Sequence, residues 1–399
     1  MKKIAVLLML CLLFTSCSSP SSYPTDEAFH FDTDAQSYAF DQGMNRGMAE
    51  SETGYYFGMT LKGSRFLFYT DKETMQTVPV CSKPNCLHYA ETDQERRELC
   101  NAYFTGIIGG GGSLFYYGGK LYIPEYGTSG REININEFSL DGTVRKTIFE
   151  LKNEEIVDCN MLFHRGYFYA MTSTYDEEIN AVLQVWRYSL DQPKKERECL
   201  FEYTAKGAWI QDILAYGNRL FFTVFTEDTK HFYRMDIQNG KVEEICKVGD
   251  ITNKNHIFFP FKDYMFVKQV HIDPQKKIYE LKETVFTANQ NGENLQKWMD
   301  TDYTILLSDN EYIYEATYGY YIRDGWVTDP YIRVFNEQGE LLAQCNPLEE
   351  GINSYYSMYV MPGEHVFLYD MRKVYYFSKS DIETGEIHPK LLIDCSQYE

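Results

Sequence analysis

Short apolar runs, alternating or continuous and each closed by a turn, recur along most of this chain. Leu114-Phe115-Tyr116-Tyr117 and Leu121-Tyr122-Ile123 flank Gly118-Gly119, and Leu220-Phe221-Phe222-Thr223-Val224-Phe225 is a longer run of the same kind. β-Branched and aromatic residues dominate these runs, as they do in half-buried strands. Past the N-terminal segment no stretch sustains an apolar period of 3.6 residues, so the pattern predicts strands rather than helices.

The turns between the runs keep an almost constant interval. Gly142, Gly240, Gly292, Gly339 and Gly385 each separate two apolar stretches, and Pro193 fills the slot between the first two, giving successive gaps of 51, 47, 52, 47 and 46 residues. A second series runs Gly119, Gly166, Asn218, Asp263, Asn310 and Gly363, with gaps of 47, 52, 45, 47 and 53 residues. Gly54, ahead of Tyr55-Tyr56-Phe57, supplies an earlier member and brings the units to seven. Gly, Asn, Asp and Pro at such points set the positive or fixed φ that tight turns need. A period in the forties with several strands per unit is the mark of propeller blades.

The expected fold is therefore all-β, a single seven-bladed β-propeller over residues 37–399. Six blades is the main alternative, because unit one lacks a clear first strand and would have to borrow one from residues 37–50. Closing the ring is expected to need some such strand exchange, since an open ring leaves bare edges. An apolar or Cys position follows the later turn by six residues: Ile148, Cys199, Cys246, Trp298 and Cys345, with Cys395 ending the last unit. Cys exchanging with Ile and Trp reads as packing, because a free thiol behaves as a small hydrophobe. These thiols are expected to be buried and unpaired.

The N-terminus changes the picture from shape to location. Lys2-Lys3 precede an apolar run from Ile4 to Phe14, too short to span a bilayer and suited to a secretory signal. Leu13-Phe14-Thr15-Ser16-Cys17 resembles the lipobox of bacterial lipoproteins, with Phe14 where Leu is usual. That resemblance implies a signal peptide over residues 1–16, cleavage before Cys17 and acyl chains on its sulfur, which would hold the protein at the outer face of the cell membrane; two chains give stable anchoring where one is marginal. Residues 17–36 then read as a flexible tether, rich in Ser, Pro and Asp.

Charge excludes one class of partner. The chain carries 38 Lys and Arg against 58 Asp and Glu, and removal of residues 1–16 takes Lys2 and Lys3 with it, leaving 36 − 58 = −22. Nucleic-acid phosphates demand basic surface, so no nucleic-acid partner is expected. The membrane, through the lipid anchor, and a protein or carbohydrate ligand are the expected partners.

Candidate chemistry concentrates where the repeat breaks. From Gly54 to Gly119 is 65 residues, and the surplus, about residues 81–105, holds Cys81, Cys86, His88 and Cys100 as C-x4-C-x-H-x11-C. Three thiols and an imidazole suit tetrahedral zinc, in a closed and hence structural site. An exported protein could equally join two of the thiols in a disulfide to staple a loop with little core of its own. Cys81 could also simply fill the last-strand packing slot of unit one, leaving the cluster incidental. All three readings stay open, and the first implies structural zinc as the cofactor. A second candidate lies between the second and third strands of unit six, where Tyr318, Tyr320, Tyr321, Arg323 and Trp326 make an aromatic-rich insertion suited to sugar rings or protein. Packing between blades is the alternative use of those rings.

The chain carries no phosphate-loop, nucleophile-elbow or zinc-protease motif. Gly118-Gly119-Lys120 leads into a strand, not the helix that a phosphate loop requires. No G-x-S-x-G or H-E-x-x-H occurs.

Tyr69-Thr70-Asp71-Lys72-Glu73, Val80-Cys81-Ser82-Lys83-Pro84-Asn85-Cys86-Leu87-His88 and Cys100-Asn101-Ala102-Tyr103, with the lipobox and the repeats, resemble uncharacterised β-propeller lipoproteins of Gram-positive gut bacteria, a TolB-like propeller group. The resemblance implies a propeller at the cell surface and implies no reaction. The function expected is a cell-envelope binding or scaffolding module that uses a propeller face or blade loops, without enzymatic activity. Alternatives are a glycan- or solute-capturing lipoprotein beside a transporter, and an extracellular glycan lyase or hydrolase with acidic residues in the channel.

Overall fold

A computed structural model of the chain describes residues 23–36, 47–105, 114–127, 132–152, 161–227, 229–249, 254–262, 264–309, 311–355, 357–370 and 372–396. The signal segment and Cys17 lie outside the described residues. Seven antiparallel sheets follow one another in sequence, each built from consecutive strands. Blade one spans residues 48–104, blade two 115–152, blade three 161–206, blade four 209–249, blade five 254–302, blade six 305–345 and blade seven 357–394. The fold is thus the expected seven-bladed β-propeller, and the first strand of blade one, Met48–Glu50, comes from the segment expected to provide it.

Both turn series fall where the period placed them. Gly118-Gly119, Arg165-Gly166 and Gly217-Asn218 join first to second strands, and Gly142, Gly240, Gly292 and Gly339 join third to fourth strands with φ between +70° and +82°. Alternation on the strands sends one set of side chains to each neighbouring blade. Tyr55, Phe57, Phe66 and Phe68 of blade one, for instance, are all buried.

In blades two to seven the pairing of third and fourth strands contains one register shift. The residue skipped on the fourth strand is Ile148, Leu200, Ile245, Trp298, Leu342 or Leu392 in turn, apolar every time and half-buried against the core. Such a bulge bends the strand and turns an extra side chain inward. This corrects the packing position assigned to the cysteines. The turn-to-bulge distance varies, so a fixed offset of six reaches the bulge only at Ile148 and Trp298. Cys199, one residue short of its bulge, is exposed, Cys345 is half-buried and Cys395 is buried; all three are free thiols. The side chain of Cys246 is not described.

Beyond the first strand of blade one, ring closure is made by side chains. Among the described residues no strand passes between the first and seventh sheets. Tyr55 Oη lies 2.9 Å from His365 Nδ1, and its ring meets Phe367 edge-on at 4.7 Å. Tyr369 donates to the Gly58 carbonyl at 3.0 Å, and the Gly363 N–H donates to Glu50 Oε2 at 2.8 Å. Glu50 has no exposed surface and is balanced by Lys72 at 2.5 Å.

Residues 23–36, expected as flexible tether, lie as a strap on the propeller. Tyr23 donates to Asp191 in blade three, and Asn218 in blade four donates to the Thr25 carbonyl. Tyr116 and the Gly118 N–H in blade two donate to Asp32, and Gln36 exchanges two hydrogen bonds with the Glu50 backbone in blade one, at 2.7 and 2.9 Å. The composition is loop-like, but the polar groups of the strap find partners on the blades, which is why it is ordered.

Candidate functional site

The Cys/His insertion interrupts the outermost strand of blade one. Thr77–Pro79 pairs with Phe68 to Thr70, and Tyr103–Phe104 resumes the same edge opposite Arg65 and Phe66. Residues 80–102 loop out between the two pieces. Cys81 follows the first piece directly. Cys86 closes a turn in which its N–H donates to the Lys83 carbonyl, helped by Asn85 at φ +61°. His88 opens the 3-10 turn His88–Ala90 with φ +51°. The short helix Gln94–Glu98, capped by Asp93 accepting from the Arg96 N–H at 3.0 Å, returns the chain so that Cys100 faces the other three.

One donor atom from each of Cys81, Cys86, His88 and Cys100 lies within 4.8 Å of every other. His88 Nδ1 is 3.5 Å from Cys100 Sγ. Cys100 is buried and the other three are half-buried. Burial pushes the Cys100 thiol well above its ordinary value, with Cys81 adding to it. Burial also pushes the Cys81 thiol up, but the Lys83 and Asn101 N–H groups and the neighbouring thiols outweigh it, and the net shift is down. His88 is lowered by burial. The four residues that sequence spacing grouped are therefore brought together.

The aromatic insertion gathers its rings, with Tyr321 5.6 Å from Tyr318 and 5.7 Å from Trp326, but divides them between interior and surface. It forms the helix Gly319–Arg323 between the second and third strands of blade six. Tyr321 is 1% exposed and belongs to the interior, while Trp326 is 49% exposed. Tyr318 stacks on Tyr303 at 5.3 Å, and Arg323 pairs with its neighbour Asp324 at 2.9 Å. The side chain of Tyr320 is not described. Trp326 instead stacks on Tyr279 of blade five, 5.3 Å between centroids and 27° between planes. Tyr279 went unnoticed in the sequence because it comes from a different blade.

Exposed apolar side chains on this side of the propeller extend well beyond Trp326. Loops joining second to third strands also present Tyr126 in blade two, Tyr175 and Ile179 in blade three, and Ile272 and Ile278 in blade five. Trp209, at the start of the first strand of blade four, lies at the same end and stacks on Phe225 at 4.7 Å. In an antiparallel blade, turns between first and second strands fall at the opposite end. That opposite end is the one bearing the strap.

Glu315 and Asp302 share a hydrogen-bonding partner in Tyr331. The Tyr331 hydroxyl lies 3.2 Å from Glu315 Oε1 and 3.5 Å from Asp302 Oδ2, and burial pushes the Glu315 carboxyl up to about 7. Glu315 has no exposed surface, however, and Arg333 is 3.6 Å away. Asp302 is 47% exposed and pairs with Lys282, so the two carboxylates, linked through Tyr331 between blades five and six, do not face a common open site.

No protein-family model matches the chain, and no curated protein is similar to it. Solved structures do match its shape. A structure from a study of two prolyl endopeptidases aligns with 92% of this chain at a TM-score of 0.54 and 13% identity. The chain spans about half that protein's length, 51%. An oligogalacturonate lyase in complex with manganese aligns with 94% of this chain and 96% of its own, at a TM-score of 0.50 and 10% identity. At these identities the likeness is one of fold: the chain is similar to propellers that include enzymes.

Proposed function

We propose that this protein is an extracytoplasmic lipoprotein, anchored to the cell membrane through Cys17, that binds a partner with the face of the propeller opposite its strap. One observation carries the reading: among the described residues, four of the five exposed large aromatic side chains, Tyr126, Tyr175, Trp209 and Trp326, lie at that end and only Tyr264 at the other, whereas single exposed hydrophobes scattered over a surface need no explanation. Aromatic residues with an apolar body and a polar tip are the side chains that interfaces favour.

The strap supports the orientation. Six Cα steps separate Cys17 from Tyr23, a reach of at most about 20 Å. Lipid on Cys17 would hold the strap-bearing face towards the bilayer and turn the aromatic face away from it. A protein ligand fits the breadth of the surface, and the flat Tyr279–Trp326 pair favours a sugar ring as the second reading.

The test is to replace Trp326 and Tyr175 by Ala in the full chain and to measure binding by crosslinking on cells and on a glycan array. Loss of at least about tenfold in binding, with an unchanged unfolding temperature, is the expected result. Full binding by the double variant would sink the reading, and the array separates sugar from protein.

A further inference from the structure

The geometry points to a structural zinc site made by Cys81, Cys86, His88 and Cys100, which holds the two halves of the broken outer strand of blade one in register. Zinc bound at about 2.3 Å by four ligands in a tetrahedron sets them about 3.8 Å apart. The four donor atoms here all lie within 4.8 Å of one another, a span that admits such a tetrahedron, and all three cysteines are free thiols. A disulfide would use two of the sulfurs and leave the third and the imidazole with no role. A metal uses all four.

The surroundings suit the assignment. Lys83 Nζ is held by the Leu99 carbonyl, so the two ends of the loop are tied across the ligand set. Residues 82–99 contain no buried side chain, whereas Cys100 and Ala102 are buried. The loop thus has little core of its own, and ligand bonds would supply the order. Its base rests on blade one through Tyr89, whose ring is 5.7 Å from Phe68 and 6.3 Å from Phe66. Four protein ligands leave no open position, so the site is structural rather than hydrolytic. Binding converts three thiols to thiolates and releases their protons to solvent, so affinity falls in acid.

Elemental analysis of the full chain purified without chelator tests this. About one zinc per chain is expected, falling below about a tenth in Cys81→Ser and Cys100→Ser. Should those variants fail to fold, cobalt added to chelator-treated native protein gives an independent readout. Thiolate-to-cobalt charge-transfer bands at one equivalent are expected, altered in His88→Ala. Two results would overturn the proposal: non-reducing peptide mapping that joins two of the three cysteines, or metal-free protein that gives no such bands with cobalt.

Discussion

Arg165 and Asp34, 131 residues apart, form a two-pronged ion pair with Nε–Oδ1 at 2.9 Å and Nη2–Oδ2 at 3.0 Å. Both side chains are almost wholly buried. Arg165 sits at φ +43°, where a side chain is uncommon, and its remaining donors hold the carbonyls of Pro24, Asp26 and Ala28. One side chain thereby folds the strap back upon blade three. Local strain of this kind persists only where surrounding contacts over-determine it.

Replacing Arg165 by Met leaves Asp34 buried without its partner. Removing one half of a buried pair costs about 3–5 kcal/mol. The expected outcome is a lower unfolding temperature and rapid proteolysis within residues 23–36, read by limited digestion and mass spectrometry. An unchanged digestion pattern would show that the strap does not depend on this residue.

His164 predicts a pH dependence with a definite sign. Its Nδ1 accepts from the Ala35 N–H at 3.1 Å and its Nε2 donates to the Gly217 carbonyl at 2.7 Å, the arrangement of a neutral ring. Burial lowers its pKa to about 4 despite nearby Asp34. The unfolded chain, near 6.5, binds the proton first. The stability it contributes is therefore complete above pH 6.5 and is lost as pH falls towards 4, by about 3 kcal/mol in all. Denaturant melts at pH 7 and pH 4.5 should show this fall, and a flatter profile in His164→Gln would assign it.

The seam between blades one and seven depends on side chains, so it should be the point most sensitive to truncation. Tyr55→Ala removes a buried ring, its contact with Phe367 and its hydrogen bond to His365. A loss of about 3–5 kcal/mol is expected. Hydrogen exchange should quicken first in residues 54–61 and 365–370; uniform quickening across all blades would contradict a local seam.

Cys17→Ala should move the protein from the membrane fraction to the medium, since an unlipidated chain lacks the acyl chains. Retention of the variant at wild-type levels would remove the lipid anchor from the proposal.

The periodic turns were legible because a blade repeats one local problem: each tight turn needs Gly, Asn, Asp or Pro, whatever lies elsewhere in the fold. Blade number and the grouping of Cys81, Cys86, His88 and Cys100 followed from such local rules, since a twenty-residue insertion has few ways to place its own ligands. The recurrent fourth-strand position was blurred, because the distance from turn to bulge varies between blades and puts Ile245 and Leu342 off a fixed offset. What only the tertiary structure decided is everything made by residues distant in sequence. The docking of residues 23–36 rests on Arg165 and Asn218, and the closing of the ring rests on Tyr55 meeting His365. The contact of Tyr279, in the neighbouring blade, with both Tyr321 and Trp326 is of the same kind. Composition marks a segment as polar or aromatic, but burial depends on which partners the closed ring brings opposite it, and no local pattern encodes that.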